Sequence, residues 1–170
     1  MTGPAIRQAG PGDAAALSAI GRATFSEAFG ELYPPQDLEA FLAGAYELDK
    51  TRAYLADSRC AAWLAEIDGA AVGHALVGPC ALPHPEVTPG CGELKRLYVL
   101  SPWRGGLGSR LMDAALEWLE RDGPRRLWIG VWSGNLAAQR FYRRLGFEKV
   151  GEYAFEVGSI RDREFIMRRG

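Results

Sequence analysis

Histidine and cysteine, the side chains that most often hold metals or form covalent links, are scarce in this sequence. Its 170 residues include two histidines and three cysteines. The cysteines, Cys60, Cys80 and Cys91, are odd in number and form no Cys-x-x-Cys pair, which argues against a disulfide framework. Two histidines, His74 and His84, are too few for a histidine-based metal centre. We therefore expect reduced thiols, a cytoplasmic location and no metal.

Excess charge and long apolar runs are also absent. The formal net charge is −1, which argues against nucleic acid as an electrostatic partner. No apolar run approaches the ~20 residues that cross a bilayer. Residues 1–7 lack the apolar core of a signal peptide. We therefore expect neither nucleic acid nor a membrane among the partners.

The composition that remains is that of a globular protein. Apolar residues make up 48% and charged residues 24% of the chain, and its length is sufficient to bury a core. We expect residues 1–170 to form a single domain. Helical and strand patterns interleave along it, which predicts an α/β or α+β fold with a mixed sheet. Strands are predicted at 5–9, 60–67, 71–77, 93–100, 126–132, 149–157 and 164–168, and helices after Asp13, Pro35 and Asn135 and at 49–55 and 107–119.

Two of the connections carry further information. Asp68-Gly69 lies between two apolar runs, a strong signal for a β-hairpin. Residues 78–92 contain four prolines and are predicted to form a loop. Long loops in compact domains are often functional. This one precedes the strand that begins at Glu93, where it either shapes a substrate entrance or is a plain surface connection.

The most informative stretch runs from Glu93 to Leu119 and combines a strand, a glycine turn and an amphipathic helix. Glycines stand at 105, 106 and 108, immediately before apolar residues at helical spacing. At the start of such a helix, unpaired N–H groups and the positive dipole end form an anion site suited to a phosphate or pyrophosphate. The turn lacks the residues that define a Walker loop or a dinucleotide fingerprint. The glycines alone also fit an ordinary strand-to-helix turn.

Several separated motifs resemble the GCN5-related N-acetyltransferases, which use acetyl-CoA. They are the Glu-Leu-Lys-Arg-Leu-Tyr-Val strand, the Arg-Gly-Gly-Leu-Gly-Ser turn and the series Asn135, Phe141-Tyr142 and Gly146-Phe147. The resemblance implies the fold of that family, a central, mostly antiparallel sheet flanked by helices. Stretches that begin at Phe25, Leu127 and Gly151 are most similar to the PaiA-type spermine/spermidine acetyltransferase group. Trp103 stands where the family's turn has Arg or Gln, so this turn is one residue short.

The resemblance implies acetyl-CoA as the cosubstrate, and the residues of the stretch suit it. The backbone edge at Leu97, Tyr98 and Val99 is expected to pair with the pantetheine arm as a strand does. The N–H of Val99 is expected to hold the oxyanion. Asn135 caps its helix, contacts the pantetheine amide, or does both. The residues expected at the pyrophosphate are Arg104, Gly105, Gly106, Leu107, Gly108, Ser109 and Arg110.

Acetyl transfer to an amine needs an acceptor for the amine's excess proton and a proton donor for the departing thiolate. Glu93 is the candidate base, and its alternative role is an ion pair with Lys95. Tyr142 is the candidate acid, since the family places a tyrosine there beside the CoA sulfur. Its alternative is a core tyrosine. No cysteine has an activated setting, so direct transfer is expected rather than an acyl-enzyme.

The expected acceptor is a small molecule with a primary amine, either a polyamine or an amino acid or peptide. Tyr33 and Trp132 are candidates for its pocket, because aromatic faces suit a cation. Glu152 and Glu156 are acids that fit the same role. A non-catalytic acyl-CoA sensor that regulates a partner is the alternative function. The resemblance leaves a homodimer open as the assembly.

Overall fold

The computed structural model describes residues 3–170, which form a seven-stranded sheet and five α-helices. The strands are β1 Ala5–Gln8, β2 Ala61–Ile67, β3 Ala70–Pro79, β4 Gly92–Val99, β5 Leu127–Trp132, β6 Glu148–Val157 and β7 Ile160–Arg169. The helices are α1 Ala14–Phe29, α2 Pro35–Ala45, α3 Leu48–Ala56, α4 Leu107–Leu119 and α5 Leu136–Arg144. Met1 and Thr2, part of the predicted domain, lie outside the described residues.

These bounds confirm the predicted elements, with one substantial correction. The last strand was expected to begin at Glu164, but β7 begins at Ile160. Val157 pairs directly with Ile160, because Gly158 and Ser159 close a two-residue hairpin. Four more residues of β7 therefore join the sheet.

The sheet has the strand order β1-β2-β3-β4-β5-β7-β6. Every neighbouring pair is antiparallel except β4 and β5, which are parallel. The sheet is therefore mixed and mostly antiparallel, as predicted. The expected hairpin at Asp68-Gly69 is also confirmed, since both residues have the positive φ, 51° and 81°, that a tight hairpin turn requires.

Helices cover both faces of the sheet. On one face α4 buries Leu111, Ala115 and Leu119, spaced four residues apart, in the main core. On the other face α1 and α2 contribute a second, aromatic cluster that includes Phe25 and Phe29. Among the helices of residues 3–170, none is both long and apolar enough to span a membrane.

Two helical glycines are expected to respond in opposite directions to alanine. A Cβ at Gly21, in α1, would overlap the ring of the buried Tyr46, so Gly21→Ala should destabilise the protein by about 1–3 kcal/mol. Gly44, in α2, is exposed, and a Cβ there meets nothing within 4 Å. Gly44→Ala should therefore stabilise by about 0.5–1 kcal/mol. Urea unfolding measures both, and two changes of the same sign would contradict this packing.

Candidate active site

β4 and β5 pair only at their beginnings and then separate. The pairs that join them are Gly92–Leu127, Glu93–Trp128 and Leu94–Ile129. Beyond these pairs β4 continues to Val99 and β5 continues to Trp132. A cavity of about 920 Å³ is lined by both diverging strands. The sheet thus opens at its centre, and the edge of β4 that faces β5 has no strand partner there.

A bulge in β4 lies where the two strands separate. Against β3, Leu94 pairs with Val77 and Arg96 pairs with Leu76, so Lys95 has no partner. A bulge bends its strand and increases the local twist. The irregularity accounts for the divergence of β4 from β5 after only three residue pairs.

The open edge of β4 presents backbone groups to the cavity. The N–H of Leu100 donates to the carbonyl of Val72, on the β3 side, at 2.9 Å. Because successive amides of an extended strand point to opposite edges, the N–H groups of Val99 and Leu97 face the gap. Leu97, Tyr98 and Val99 all line the cavity. This edge has no strand partner and can pair with an extended, amide-containing chain, although its last carbonyl, that of Val99, already accepts from Nε of Arg104.

The glycine turn lies at one end of the gap. Gly105 and Gly106 have φ of 116° and 113°, values that residues with a Cβ rarely adopt. α4 begins directly after them without a side-chain cap, so its first N–H groups are unsatisfied within the helix and point outward with the positive dipole end. A second pocket, of about 300 Å³, is lined by Arg104, Gly105, Gly106, Gly108 and Ser109 together with the β4 edge. The arrangement suits a phosphate or pyrophosphate.

Three side chains of the turn have contacts elsewhere. Leu107 is buried in the main core, and Arg110 donates at 3.2 Å to a backbone carbonyl near the N-terminus. Arg104 donates to the carbonyl of Val99 at 3.2 Å and pairs with Glu27 at 3.3 Å. Leu107 therefore offers an anion only its backbone amide. The amide of Arg110 is also occupied, since it donates to the carbonyl of Gly106 at 3.0 Å, and Arg104 holds the turn against the end of β4.

Tyr142 reaches the gap from α5. The helix begins after Asn135, whose side chain accepts from the N–H of Ala138 at 3.1 Å and which also lines the larger cavity. Tyr142 is 8% exposed and lines both pockets. Burial raises the pKa of its phenol to about 12, and the negative charge of Glu164 adds to the shift. The hydroxyl is therefore protonated at neutral pH and is available as a donor.

Glu93 lies on the wall of the larger cavity, at the start of β4. Its Oε1 accepts hydrogen bonds from the N–H of Ala81 and from Nζ of Lys95, both at 3.0 Å. The structure thus contains the Lys95 ion pair that was the alternative role, and it also places this carboxylate at the cavity. Ala81 and Leu82 belong to the proline-rich loop, so that loop contributes to the cavity wall.

The side of the cavity under α1 and α2 is aromatic. Trp132, at the end of β5, packs edge-to-face against Phe29 with the ring centroids 6.0 Å apart. Tyr33, between α1 and α2, is buried, and its hydroxyl donates to Asp162. Both residues predicted at the acceptor pocket line this wall. Phe25, Phe41 and Phe155 complete it.

Glu164 also faces the cavity, although the sequence did not single it out. Burial raises the pKa of its carboxyl to about 8, and the charge of Asp162 adds to the shift. Its Oε2 is buried without a hydrogen-bond partner among the described residues. The alternation of Asp162 and Glu164 along β7 signals only that they share a face. Which face meets the gap depends on the position of β7 in the sheet.

Glu152 and Glu156, the two acids considered for a cationic acceptor, are not brought to this site. Glu152 binds Arg163 at 2.6 Å and Lys149 at 2.7 Å. Glu156 pairs with Arg161 at 3.7 Å. Both are exposed and neither lines the cavity.

The cysteines also lie away from the cavity. None of Cys60, Cys80 and Cys91 is among its lining residues, and burial raises the pKa of the Cys80 thiol to about 11. A thiol with a raised pKa is a poor nucleophile at neutral pH. Within residues 3–170, no three His, Cys, Asp or Glu side chains are grouped as metal ligands.

Known proteins match this chain along most of its length. The acetyltransferase (GNAT) family matches residues 24–147. An uncharacterized N-acetyltransferase from Lactobacillus delbrueckii subsp. lactis is 29% identical over 170 residues, which cover 99% of this chain and 98% of that protein. Another, from Mycobacterium bovis, is 31% identical over 158 residues, which cover 92% of this chain and 97% of that protein.

Solved structures share the same architecture. The PaiA N-acetyltransferase of Thermoplasma acidophilum, in complex with coenzyme A, has a TM-score of 0.77 at 18% identity over 99% of both chains. A GCN5-related N-acetyltransferase of Rhodopseudomonas palustris has a TM-score of 0.73 at 23% identity over 100% of this chain and 97% of that one. The chain therefore belongs to the acetyltransferase (GNAT) family, and the predictions of that fold and of an N-acetyltransferase are confirmed.

Proposed function

We propose that this protein transfers the acetyl group of acetyl-CoA directly to the primary amine of a small molecule. The observation that carries the proposal is the meeting of three features at one gap: the open edge of β4, the glycine turn and the Tyr142 phenol. Membership of the family supports acetyl-CoA as the cosubstrate. The PaiA protein with the same fold was solved in complex with coenzyme A.

The donor binds along β4. Its pantetheine arm exchanges hydrogen bonds with the backbone of residues 97–99, as an added strand would. Its pyrophosphate accepts from the amides of the glycine turn and the first turn of α4. The two contacts are made by adjacent parts of the chain, so they orient the thioester in the gap under Tyr142.

The acceptor reaches the thioester as an ammonium ion, because a primary amine has a pKa of ~10.4. Two protons must therefore leave its nitrogen before the amide is complete. Glu93 accepts the excess proton through water, since its Oε1 already accepts two hydrogen bonds. The neutral nitrogen then attacks the carbonyl carbon of the thioester.

Formation of the C–N bond places a negative charge on the carbonyl oxygen, which accepts from the N–H of Val99. Collapse of this intermediate breaks the C–S bond. Tyr142 gives its proton to the sulfur, and the proton that remains on nitrogen returns to the phenol oxygen. The balance is one amide, one free thiol and one proton released to solvent.

The acceptor is a polyamine or an amino acid or peptide, bound at the aromatic wall near Tyr33 and Trp132. Electron-rich ring faces and the carboxylates beside them favour a cation. The likeness to the PaiA-type group supports the polyamine.

An acceptor panel tests the proposed function. Purified protein is given acetyl-CoA and, separately, spermidine, lysine, alanine and glycylglycine, and the release of free thiol is followed. We expect release that depends on at least one amine, with intersecting initial-rate lines. Parallel lines would contradict direct transfer. Binding of acetyl-CoA without release for any amine would favour the sensor instead.

A further inference from the structure

Four carboxylates line the cavity, and they differ in what they already bind. Glu27 pairs with Arg104, and Asp162 accepts from the hydroxyl of Tyr33. Glu93 accepts from Ala81 and Lys95 through one oxygen. Glu164 has a buried oxygen with no partner among the described residues. We propose that Glu164 binds the ammonium group of the acceptor directly and takes its first proton. This inference rests on the proposed function and assigns the acceptor's charged end to a specific residue.

The position of Glu164 follows from strand register. It lies opposite Trp132 of β5 on one side and opposite Tyr153 of β6 on the other. Residues directly opposite one another in antiparallel strands point to the same face. Glu164 therefore shares the face of Trp132, the acceptor side of the cavity, and all three residues line that cavity.

A glycine in β5 makes room for a phenol beside the Glu164 carboxylate. A Cβ at Gly130, in β5, would lie 2.7 Å from the hydroxyl of Tyr153. Because Gly130 has no side chain, the phenol of Tyr153 can pack directly against the backbone of β5. Burial raises the pKa of Tyr153, and the charges of Glu164 and Glu93 add to the shift. Tyr153 is therefore within electrostatic reach of both carboxylates, which places them around one space.

Among residues 3–170, no cation forms an ion pair with Glu164 or offsets the rise in its pKa. Four cations line the cavity. Lys95 binds Glu93, Arg96 binds the carbonyl of Ala45 and Arg104 pairs with Glu27, while Lys50 of α3 forms no ion pair with Glu164.

The charge of Glu164 acts on four phenols. Burial is the largest cause of the raised pKa in each of them, and the charge of Glu164 adds a smaller contribution. The four phenols are Tyr33, Tyr98 of β4, Tyr142 of α5 and Tyr153 of β6.

This environment favours a cationic ligand over a neutral one. Burial, and then the charge of Asp162 on the same strand, destabilise the ionised Glu164 and raise its pKa to about 8. An ammonium ion in the cavity would stabilise the ionised form and leave no carboxylate oxygen unpaired. Proton transfer from nitrogen to Oε2 then gives a neutral amine and a neutral carboxyl group in the same place.

Glu164 thus replaces Glu93 as the first acceptor of the amine's excess proton, and Glu93 only passes that proton on to solvent; the overall balance of the reaction is unchanged. The N–H bond breaks, its electron pair stays on nitrogen, and an O–H bond forms on Glu164. The amine uses that pair to attack the thioester carbon. The proton leaves Glu164 for solvent through water held by Glu93, which restores the carboxylate for the next turnover.

The test is Glu164→Gln, which keeps the shape and removes both the charge and the proton acceptor. Glu117→Gln, an identical change at an exposed position of α4, is the matched control. Initial rates are measured from about pH 6 to about pH 9 with each panel amine that the wild-type protein acetylates. The affinity for acetyl-CoA and the melting temperature are recorded for both variants.

In the wild-type protein, kcat/KM for the amine should rise with pH through about 8, because the free carboxyl group must lose its proton to bind the ammonium. At about pH 9, Glu164→Gln should lower kcat/KM by about tenfold, as expected for loss of a charge-assisted hydrogen bond. The deficit should shrink toward about pH 6, where the wild-type carboxyl group is protonated. Acetyl-CoA affinity and melting temperature should stay unchanged.

A Glu164→Gln variant that keeps wild-type rates and the step near pH 8 would overturn the inference and leave the proposed function intact. The inference would also be overturned if Glu93→Gln abolished the rise in kcat/KM near pH 8 and Glu164→Gln retained it. Wild-type protein that acetylates none of the panel amines would overturn both. A deficit equal at every pH would assign Glu164 a structural role and overturn the inference.

Discussion

Tyr142→Phe is expected to lower kcat by about 10²–10⁴-fold, the range typical for loss of a positioned general acid. The phenol has a pKa of about 12, whereas a thiol has one of ~8.5. Complete transfer to a free thiolate is therefore uphill, and the return of a proton from the amine nitrogen to the phenol oxygen must offset it. The phenylalanine variant loses both the donor and this return path.

The ring of Tyr142 packs against Phe141 and Phe147, and phenylalanine preserves that packing. Stability and acetyl-CoA affinity should therefore stay close to wild type. Single-turnover kinetics separate the chemical step from product release, and calorimetry measures the affinity. Tyr54→Phe removes a phenol from α3 that lines the larger cavity but not the pocket at the glycine turn, and it should leave kcat unchanged. Undiminished turnover in Tyr142→Phe would remove Tyr142 from the mechanism.

Gly106→Ala is expected to raise the KM for acetyl-CoA by about 10- to 100-fold. Gly106 has a φ of 113°, and a residue with a Cβ pays about 1–3 kcal/mol to adopt such a backbone conformation. The chain relieves this strain by turning the peptide units that begin α4, so their N–H groups no longer converge on the pyrophosphate. Because these contacts are made far from the sulfur, kcat should change much less than KM.

Gly123→Ala is the matched control for this change. Gly123 has a φ of 114°, and a Cβ there, as at Gly106, meets nothing within 4 Å. It follows the other end of α4, remote from both pockets. The two variants should lose similar stability in thermal unfolding, but only Gly106→Ala should lose acetyl-CoA affinity. An equal loss of affinity in both would assign the effect to general destabilisation.

The parts of the site that sequence predicted are those encoded locally. The glycine turn is a contiguous segment in which strand pattern, glycines and helix spacing agree, and the structure forms it where it was expected. Tyr142, which the motif with Gly146 and Phe147 singled out, lines both pockets. In each case neighbouring residues carry the signal, and a few residues of chain are enough to define the geometry.

The parts that sequence did not predict depend on strand order. Glu164 faces the cavity only because β7 inserts between β5 and β6, and no local pattern distinguishes it from Glu152. The hydrogen-bond partners of the Glu93 carboxylate were equally unpredictable, since one of them, the amide of Ala81, lies twelve residues earlier in the chain. Pairing between distant segments decided both outcomes.

The short junction between β4 and β5 has a consequence for the whole molecule. It divides the sheet into two leaves, β1 to β4 and β5 to β7, held together in the backbone by three residue pairs. A pantetheine arm in the gap would form hydrogen bonds along β4 as an additional strand does, and would so strengthen the junction between the two parts of the sheet. The free energy of unfolding would then increase with the acetyl-CoA concentration, by about 2.7 kcal/mol when that concentration is one hundred times Kd.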